Sequence, residues 1–112
     1  MRETYLRFLS LAQTLDAASV STVDETARHL LQLIALRHAQ GNALTVTEAM
    51  AMSTVASPAT IHRKLDALCE AGLIAQMFEG QNRRTKYLVP TAAADAYFAE
   101  LGDVMSAAAS RA

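Results

Sequence analysis

The segment from Ser57 to Gly72 constrains the fold most, because it carries both a start signal and a stop signal for one helix. Ser57 is a good N-cap residue, since its hydroxyl can accept a hydrogen bond from an unpaired amide of the first turn. Pro58 follows at the first helical position, where its missing N–H costs nothing and its fixed φ favours the helix. Gly72 tolerates the left-handed backbone conformation that commonly ends a helix. The sequence therefore predicts a helix over residues 58–71.

One face of this predicted helix is apolar. Four residues recur with the spacing of a single helical face: Ile61, Leu65, Leu68 and Cys69. We expect this face to pack into the core, with Cys69 as a buried thiol. The alternative for Cys69 is a redox switch, in which oxidation would displace the helix.

The opposite face carries small, hydroxyl and cationic side chains. At about 100° per residue, Ala59, Thr60 and Arg63 lie opposite the apolar face. His62 and Lys64 flank this strip. Acidic residues occur only in the later turns, so the N-terminal half suits a helix that enters a DNA major groove by its N-terminal end. An ordinary amphipathic helix with a solvated, mixed-charge face explains the same pattern, and the helix alone does not separate the two interpretations.

A short helix is predicted upstream of this segment. Thr45 and Glu48 have the spacing of a capping box, so a helix is expected over residues 46–52. Its apolar side consists of Val46, Ala49 and Met50. The residues that follow, up to Ala56, form a turn into the next helix.

A hairpin with a cationic tip is predicted downstream, over residues 73–89. Two strand-like runs flank the turn residues Gly80-Gln81-Asn82-Arg83, and Leu44 is a candidate for a short third strand. Three cations lie at or beside the tip: Arg83, Arg84 and Lys86. A protruding cationic loop can contact a phosphate backbone or a minor groove. A merely solvated tip is the alternative.

These segments resemble a known family. The run SPATIHRKLDALCEAGLI, the basic hairpin and the following YLVPTAAADAY look like a winged helix-turn-helix transcriptional regulator, and the nearest kin are MarR-like proteins. The resemblance covers roughly residues 20–105. MarR-like wings usually carry an Asp two residues before an Arg, whereas Gln81-Asn82-Arg83-Arg84 has none. The resemblance implies a mainly α fold with a small β-hairpin wing (α+β), in which one winged helix-turn-helix domain spans residues 1–112.

Three longer helices complete the prediction. The first, over residues 2–15, is apolar nearly all round and must be covered on more than one side, either by its own domain or by a partner subunit. The second, over residues 23–39, is expected to be the central core helix, capped by Ser21 or Thr22. The last covers residues 91–106, is capped by Thr91 and ends in a frayed tail. In MarR-like proteins the terminal helices dimerise, so the resemblance implies a homodimer through residues 2–15 and 91–106.

Composition excludes several classes of protein. At 112 residues the chain is one domain by length, with 52% hydrophobic and 19% charged residues, as in globular proteins. The single cysteine excludes an internal disulfide, and the three histidines have no partners at metal-ligand spacing. No catalytic, nucleotide-binding or cofactor-binding motif occurs, so neither an enzyme nor a cofactor is expected. The chain has no membrane-length apolar run and no secretion signal, and we expect a cytoplasmic protein.

Net charge argues mildly against nucleic-acid binding, since the pI is 6.3 whereas DNA-binding domains often exceed about 9. The positive charge is concentrated, however: residues 57–90 hold five of the ten Lys and Arg residues and three of the eleven Asp and Glu residues. With few phosphate contacts per protomer, useful affinity is expected only from a dimer.

The leading hypothesis is a homodimeric, sequence-specific regulator that binds double-stranded DNA at a pseudo-palindromic site. Helix 58–71 would enter the major groove, and residues 79–86 would contact the backbone or minor groove. The second hypothesis is a protein-interaction adaptor or anti-regulator that does not itself bind DNA. A small-molecule effector has no support beyond an alternative in which the five methionines line a pocket. The predicted DNA-binding residues are Ser57, Ala59, Thr60, His62, Arg63, Lys64, Arg83, Arg84 and Lys86.

Overall fold

The computed structural model of the protein describes residues 1–19, 23–79 and 82–110, with residues 16–19, 79, 82 and 83 described by their backbone alone. Within these residues the elements follow the predicted order: α1 (Arg2–Ser19), α2 (Glu25–Ala39), α3 (Val46–Met50), α4 (Pro58–Glu70), β1 (Ile74–Glu79), β2 (Asn82–Pro90) and α5 (Ala92–Ala109). The predicted fold class, mainly helical with one β-hairpin, is confirmed.

Capping side chains fix the starts of the two helices that precede the hairpin. Ser57 is the N-cap of α4 and accepts from the Thr60 amide at 3.3 Å, with Pro58 at the first helical position. The capping box of α3 is complete: the Thr45 hydroxyl accepts from the Glu48 amide at 3.1 Å, and the Glu48 carboxylate accepts from the Thr45 amide at 2.9 Å. Both predicted caps are confirmed.

Other helix ends differ from the prediction. The cap of α2 is Asp24, whose Oδ1 accepts from the Ala27 amide at 2.8 Å; the prediction of Ser21 or Thr22 is wrong, and these two residues lie outside the described part of the chain. The first helix reaches Ser19 rather than residue 15, and the last reaches Ala109 rather than residue 106. Both extensions are rich in alanine, the strongest helix former, so the helix continues where a connector and a frayed tail were predicted.

The chain divides into two compact units. One comprises the described residues of Met1–Thr22 and Asp95–Ala112, and the other comprises those of Val23–Ala94. The core of the Val23–Ala94 unit lies where α2 packs against α4 and β2. Its fully buried large side chains come from each of these elements and from the strand-like entry to α3: Leu30, Leu31, Ile34, Leu44, Ile61, Leu68 and Leu88.

The hairpin is antiparallel, with Ile74 opposite Pro90 and Phe78 opposite Lys86. Its register is interrupted between Phe78 and Glu79, next to the predicted turn, of which Gly80 and Gln81 lie outside the described residues. The predicted third strand is reduced to a single bridge between Thr45 and Tyr87, supported by the Leu88 amide, which donates to the Leu44 carbonyl at 2.8 Å. Leu44 thereby ties the start of α3 to the hairpin.

In the other unit, a side chain of α1 caps the end of α5. The guanidinium of Arg7 donates to the Ala108 carbonyl through Nε at 3.3 Å and Nη2 at 2.9 Å. A cation at a helix C-terminus also interacts favourably with the helix dipole. Large apolar side chains of this unit remain exposed, namely Tyr5, Leu6, Leu11 and Met105. Among the described residues, no helix combines the length and the apolarity that a membrane span requires.

Gly72 ends α4 in a left-handed conformation with φ +75°. Its amide donates to the Cys69 carbonyl at 3.0 Å, and the Leu73 amide donates to the Leu68 carbonyl at 3.0 Å. This pair of bonds is the Schellman motif, which satisfies the last carbonyls of the helix and leads the chain into β1.

The first prediction concerns this motif. Gly72→Ala should lower the free energy of unfolding by about 1 kcal/mol, because alanine is strained at positive φ. Gly102→Ala is the matched control: Gly102 lies inside α5 with open space around its α-carbon, so the substitution should raise the free energy of unfolding by about 0.5–1 kcal/mol. Urea denaturation at fixed protein concentration measures both, and a shift of the same sign in the two variants would contradict the assignment.

Candidate nucleic-acid interface

The first turn of α4 carries a hydrogen-bonded group of three side chains, Ser57, Thr60 and Arg63, which we call the hydroxyl–arginine cluster. The Ser57 hydroxyl caps the helix and also donates to Thr60 Oγ1 at 3.0 Å. Arg63 Nη2 donates to the same oxygen at 3.2 Å. The Thr60 hydroxyl oxygen thus joins the helix cap to a guanidinium on the next turn.

The cluster lies on the outward side of α4. Ala59 and Arg63 are exposed and Thr60 is half-buried, whereas Ile61, Leu65 and Leu68 on the opposite face are buried. The two-faced character that the sequence predicts for this helix is therefore present. Small, hydroxyl and cationic groups are presented to solvent at its N-terminal end.

His62 contacts Asp66 one turn along α4. Its Nδ1 lies 3.4 Å from Asp66 Oδ2, and both side chains are more than half exposed. Asp66 is the acidic residue nearest to Arg63 in the sequence, and its carboxylate contacts His62 rather than Arg63. Among the described residues, no ion pair of Arg63 with an acid is present, so its guanidinium keeps its positive charge toward solvent.

Lys64 takes a different role from the one predicted. Its ammonium forms an ion pair with Asp24, the N-cap residue of α2, and its side chain is only 29% exposed. The Lys64 ammonium, with the Ala27 amide as the next contributor, holds the pKa of Asp24 below its ordinary value of 3.8. Of the cations predicted on α4, Lys64 is therefore the one in an ion pair with another element, where it links the start of α2 to the middle of α4.

A groove runs between α4 and the hairpin. It has a volume of about 510 Å³ and brings His62 of α4 together with Arg84 and Lys86 of β2. Both of these β2 residues are exposed. The side chain of Arg83 lies outside the described part of the structure. The remaining lining residues are Thr45, Val46, Thr47, Gln76 and Thr85.

Cys69, for which the sequence predicts a buried thiol, is half-buried. Burial, reinforced by the nearby carboxylate of Asp66, raises the pKa of its thiol above the ordinary value of 9.0. Because the thiolate is the reactive form, this environment disfavours redox chemistry and favours the interpretation of Cys69 as a packing residue. In the described part of the chain, no group of three or more His, Cys, Asp or Glu side chains could hold a metal ion.

Solved structures similar to this fold include PA3341, MepR and NadR. The transcriptional regulator PA3341 matches with a TM-score of 0.58 and 29% sequence identity, over 92% of this chain and 78% of that chain. MepR, a transcription regulator of the Staphylococcus aureus multidrug efflux pump MepA, matches with a TM-score of 0.58 and 18% identity, over 92% of this chain and 76% of that chain. NadR in complex with 4-hydroxyphenylacetate matches with a TM-score of 0.59 and 15% identity, over 88% of this chain and 64% of that chain.

The chain has a MarR-like winged helix-turn-helix fold. It spans about two thirds of the length of NadR. No protein-family model matches the sequence, and no curated protein is significantly similar to it. In the terms of this fold, α3 and α4 form the helix-turn-helix, α4 is the recognition helix, and β1 with β2 forms the wing.

Two features of this region were not predicted from the sequence. The first is the Asp24–Lys64 pair, whose members are 40 residues apart and come together only through the packing of α2 on α4. The second is the exposed Thr47 on α3, which lines the groove between the recognition helix and the wing. The capping box could have pointed to Thr47, because it fixes the first turn of α3 and hence the position of this side chain.

The second prediction tests the Asp24–Lys64 pair. Asp24→Asn keeps an oxygen that can cap α2 but removes the charge, and because both side chains are partly exposed it should cost only about 0.5 kcal/mol of unfolding free energy at neutral pH. Asp24→Ala also removes the cap and should cost about 1 kcal/mol more. Urea denaturation measures both changes.

The pH dependence follows from the lowered pKa of Asp24. The ion pair stabilises the fold above the ordinary pKa of 3.8, and this stabilisation is lost as pH falls through the folded-state pKa. The wild-type protein and the Asp24→Asn variant should therefore converge in stability in acid. A difference between them that persists at acid pH would contradict the ion pair.

Proposed function

We propose that the protein is a sequence-specific DNA-binding transcriptional regulator that acts as a homodimer. The observation that carries the proposal is the groove in which His62 of the recognition helix lies together with Arg84 and Lys86 of the wing. A helix face of hydroxyl and guanidinium groups beside a cationic hairpin is suited to a duplex, since bases are read in the major groove and phosphates by cations. The likeness to PA3341, a transcriptional regulator at 29% identity, supports the same function.

The proposal assigns two kinds of contact. The outward strip of the recognition helix, led by Thr60 and Arg63, faces base edges in the major groove, with Ala59 small enough to allow close approach. Sugar-phosphate and minor-groove contacts come from Ser57, His62, Arg83, Arg84 and Lys86. Lys64 has a smaller part than the sequence predicts, because Asp24 neutralises its charge.

Dimerisation is proposed through the terminal helices. Tyr5, Leu6 and Leu11 of α1 are 59%, 43% and 43% exposed, and Met105 of α5 is 58% exposed. Exposed apolar side chains on two helices of one compact unit are suited to burial against a second copy. Two recognition helices about 34–36 Å apart would then read a pseudo-palindromic site.

The third prediction tests DNA binding itself. Genomic fragments retained in a gel shift should yield a common pseudo-palindromic sequence, and the affinity should fall steeply as salt rises, because each neutralised phosphate releases counterions. Sequencing of the retained fragments identifies the site. Retention of no fragment at low salt would contradict the proposal and favour the protein-interaction alternative.

The fourth prediction separates base contacts from phosphate contacts. Arg63→Ala should lower the preference for the selected site over random duplex by about 1–3 kcal/mol, whereas Lys86→Ala should weaken both alike and reduce the salt slope by about 1. Titrations of both duplexes at several salt concentrations measure these effects. Equal loss of specific and non-specific binding in both variants would contradict the assignment.

The fifth prediction tests the dimer. Leu11→Glu and Met105→Glu should shift the protein toward the monomer in sedimentation experiments, because each places a charge on the proposed apolar contact. Leu36→Glu is the control, since Leu36 is 54% exposed but belongs to α2 of the other unit. A wild-type monomer at high micromolar concentration, or an equal effect of the control, would contradict dimerisation through these helices.

A further inference from the structure

We infer that Thr60 is a positioning residue for Arg63, and that the hydroxyl–arginine cluster reads a guanine in each half of the DNA site. The inference rests on the proposed function and extends it from DNA in general to one base. It starts from the hydrogen bonds of Thr60 Oγ1, which accepts from Ser57 Oγ at 3.0 Å and from Arg63 Nη2 at 3.2 Å.

These two bonds use the acceptor capacity of the threonine oxygen. A hydroxyl offers two lone pairs and one proton, and both lone pairs face protein donors. Thr60 is also half-buried, whereas Arg63 is exposed. Within the cluster, Arg63 is therefore the group that reaches outward, and Thr60 is the group that fixes it.

The guanidinium retains the donors needed to read a base. It has five N–H groups in a fixed planar fork, and the contact with Thr60 uses one of them. Two parallel donors of such a fork match O6 and N7 of guanine, the commonest specific contact of arginine in the major groove. Neither adenine nor a pyrimidine offers two adjacent acceptors there, so the fork favours guanine.

The surroundings of Arg63 preserve its charge and its orientation. Asp66, three residues further along the helix, is held by His62 at 3.4 Å. Ser57 holds Thr60 from the other side, and Ser57 is itself fixed as the N-cap by the Thr60 amide at 3.3 Å. A side chain that is held before binding loses less conformational entropy on binding, which increases affinity for the matching base.

The test compares the selected duplex with the same duplex carrying 7-deazaguanine at the proposed base, which removes the N7 acceptor and leaves base pairing intact. The ratio of the two dissociation constants is the guanine preference. It should fall about 5- to 150-fold in Arg63→Ala and about three- to tenfold in Thr60→Val, which removes the hydroxyl at nearly constant shape. Thr60→Ser restores the hydroxyl and should restore the preference.

A double-mutant cycle distinguishes positioning from direct reading. If Thr60 acts through Arg63, Thr60→Val should change nothing further in the Arg63→Ala background. An undiminished effect of Thr60→Val in that background, or a wild-type preference in Thr60→Val, would overturn the inference. A selected site without a guanine in either half would also overturn it and leave DNA binding intact, whereas failure of the wild type to retain any duplex would overturn the proposed function as well.

Discussion

The burial of one face of α4 is the constraint on which the rest of the structure depends. Ile61, Leu65 and Leu68 are buried in the core formed with α2 and β2. Because side chains on a helix are fixed at about 100° per residue, burying these three also determines that Ala59 and Arg63 face solvent. Fully burying each large aliphatic side chain contributes roughly 1.5–3 kcal/mol, far more than any exposed ion pair on this helix. Packing, not electrostatics, therefore sets the direction of the polar strip.

Electrostatics matters through the positions of the charged side chains, because the chain as a whole is nearly neutral. The net charge is −1 and the pI is 6.3, so the proposed interface depends on where the cations are held. Asp24 forms an ion pair with Lys64, and Asp66 contacts His62. Arg63 on α4 and Arg84 and Lys86 on the wing have exposed side chains. Because salt screens such exposed charges, the proposed dimer would bind DNA more tightly than one protomer.

Local signals in the sequence predicted most of the fold. Ser57-Pro58 and Gly72 mark the bounds of α4 to within one residue, and the capping box of Thr45 and Glu48 marks the start of α3. These signals succeed because a cap satisfies backbone groups within three residues and needs no tertiary partner. The ends of α1 and α5 were predicted too short, since runs of alanine carry no stop signal and continue the helix.

Contacts between distant residues could not be predicted in the same way. From its position beside the outward strip of α4, Lys64 is predicted to contact phosphate. Only the packing of α2 on α4 brings Asp24 close enough to pair with it. The three members of the hydroxyl–arginine cluster are spaced three residues apart at the start of one helix. The sequence does not determine their side-chain rotamers, so their hydrogen bonds could not be predicted from it. Sequence alone thus indicated which residues lie on the outward strip, and the structure added which of them hold one another.

The most direct test of the account is an NMR titration of the ¹⁵N-labelled protein with a duplex that it retains. The amide signals of Ala59, Thr60 and Arg63 on α4 should shift together with those of Arg84 and Lys86 on the wing, at the same stoichiometry. Signals around Leu36 on α2, which does not line the groove, should remain unchanged. Shifts centred on Leu36, with the outward strip of α4 unaffected, would contradict the account.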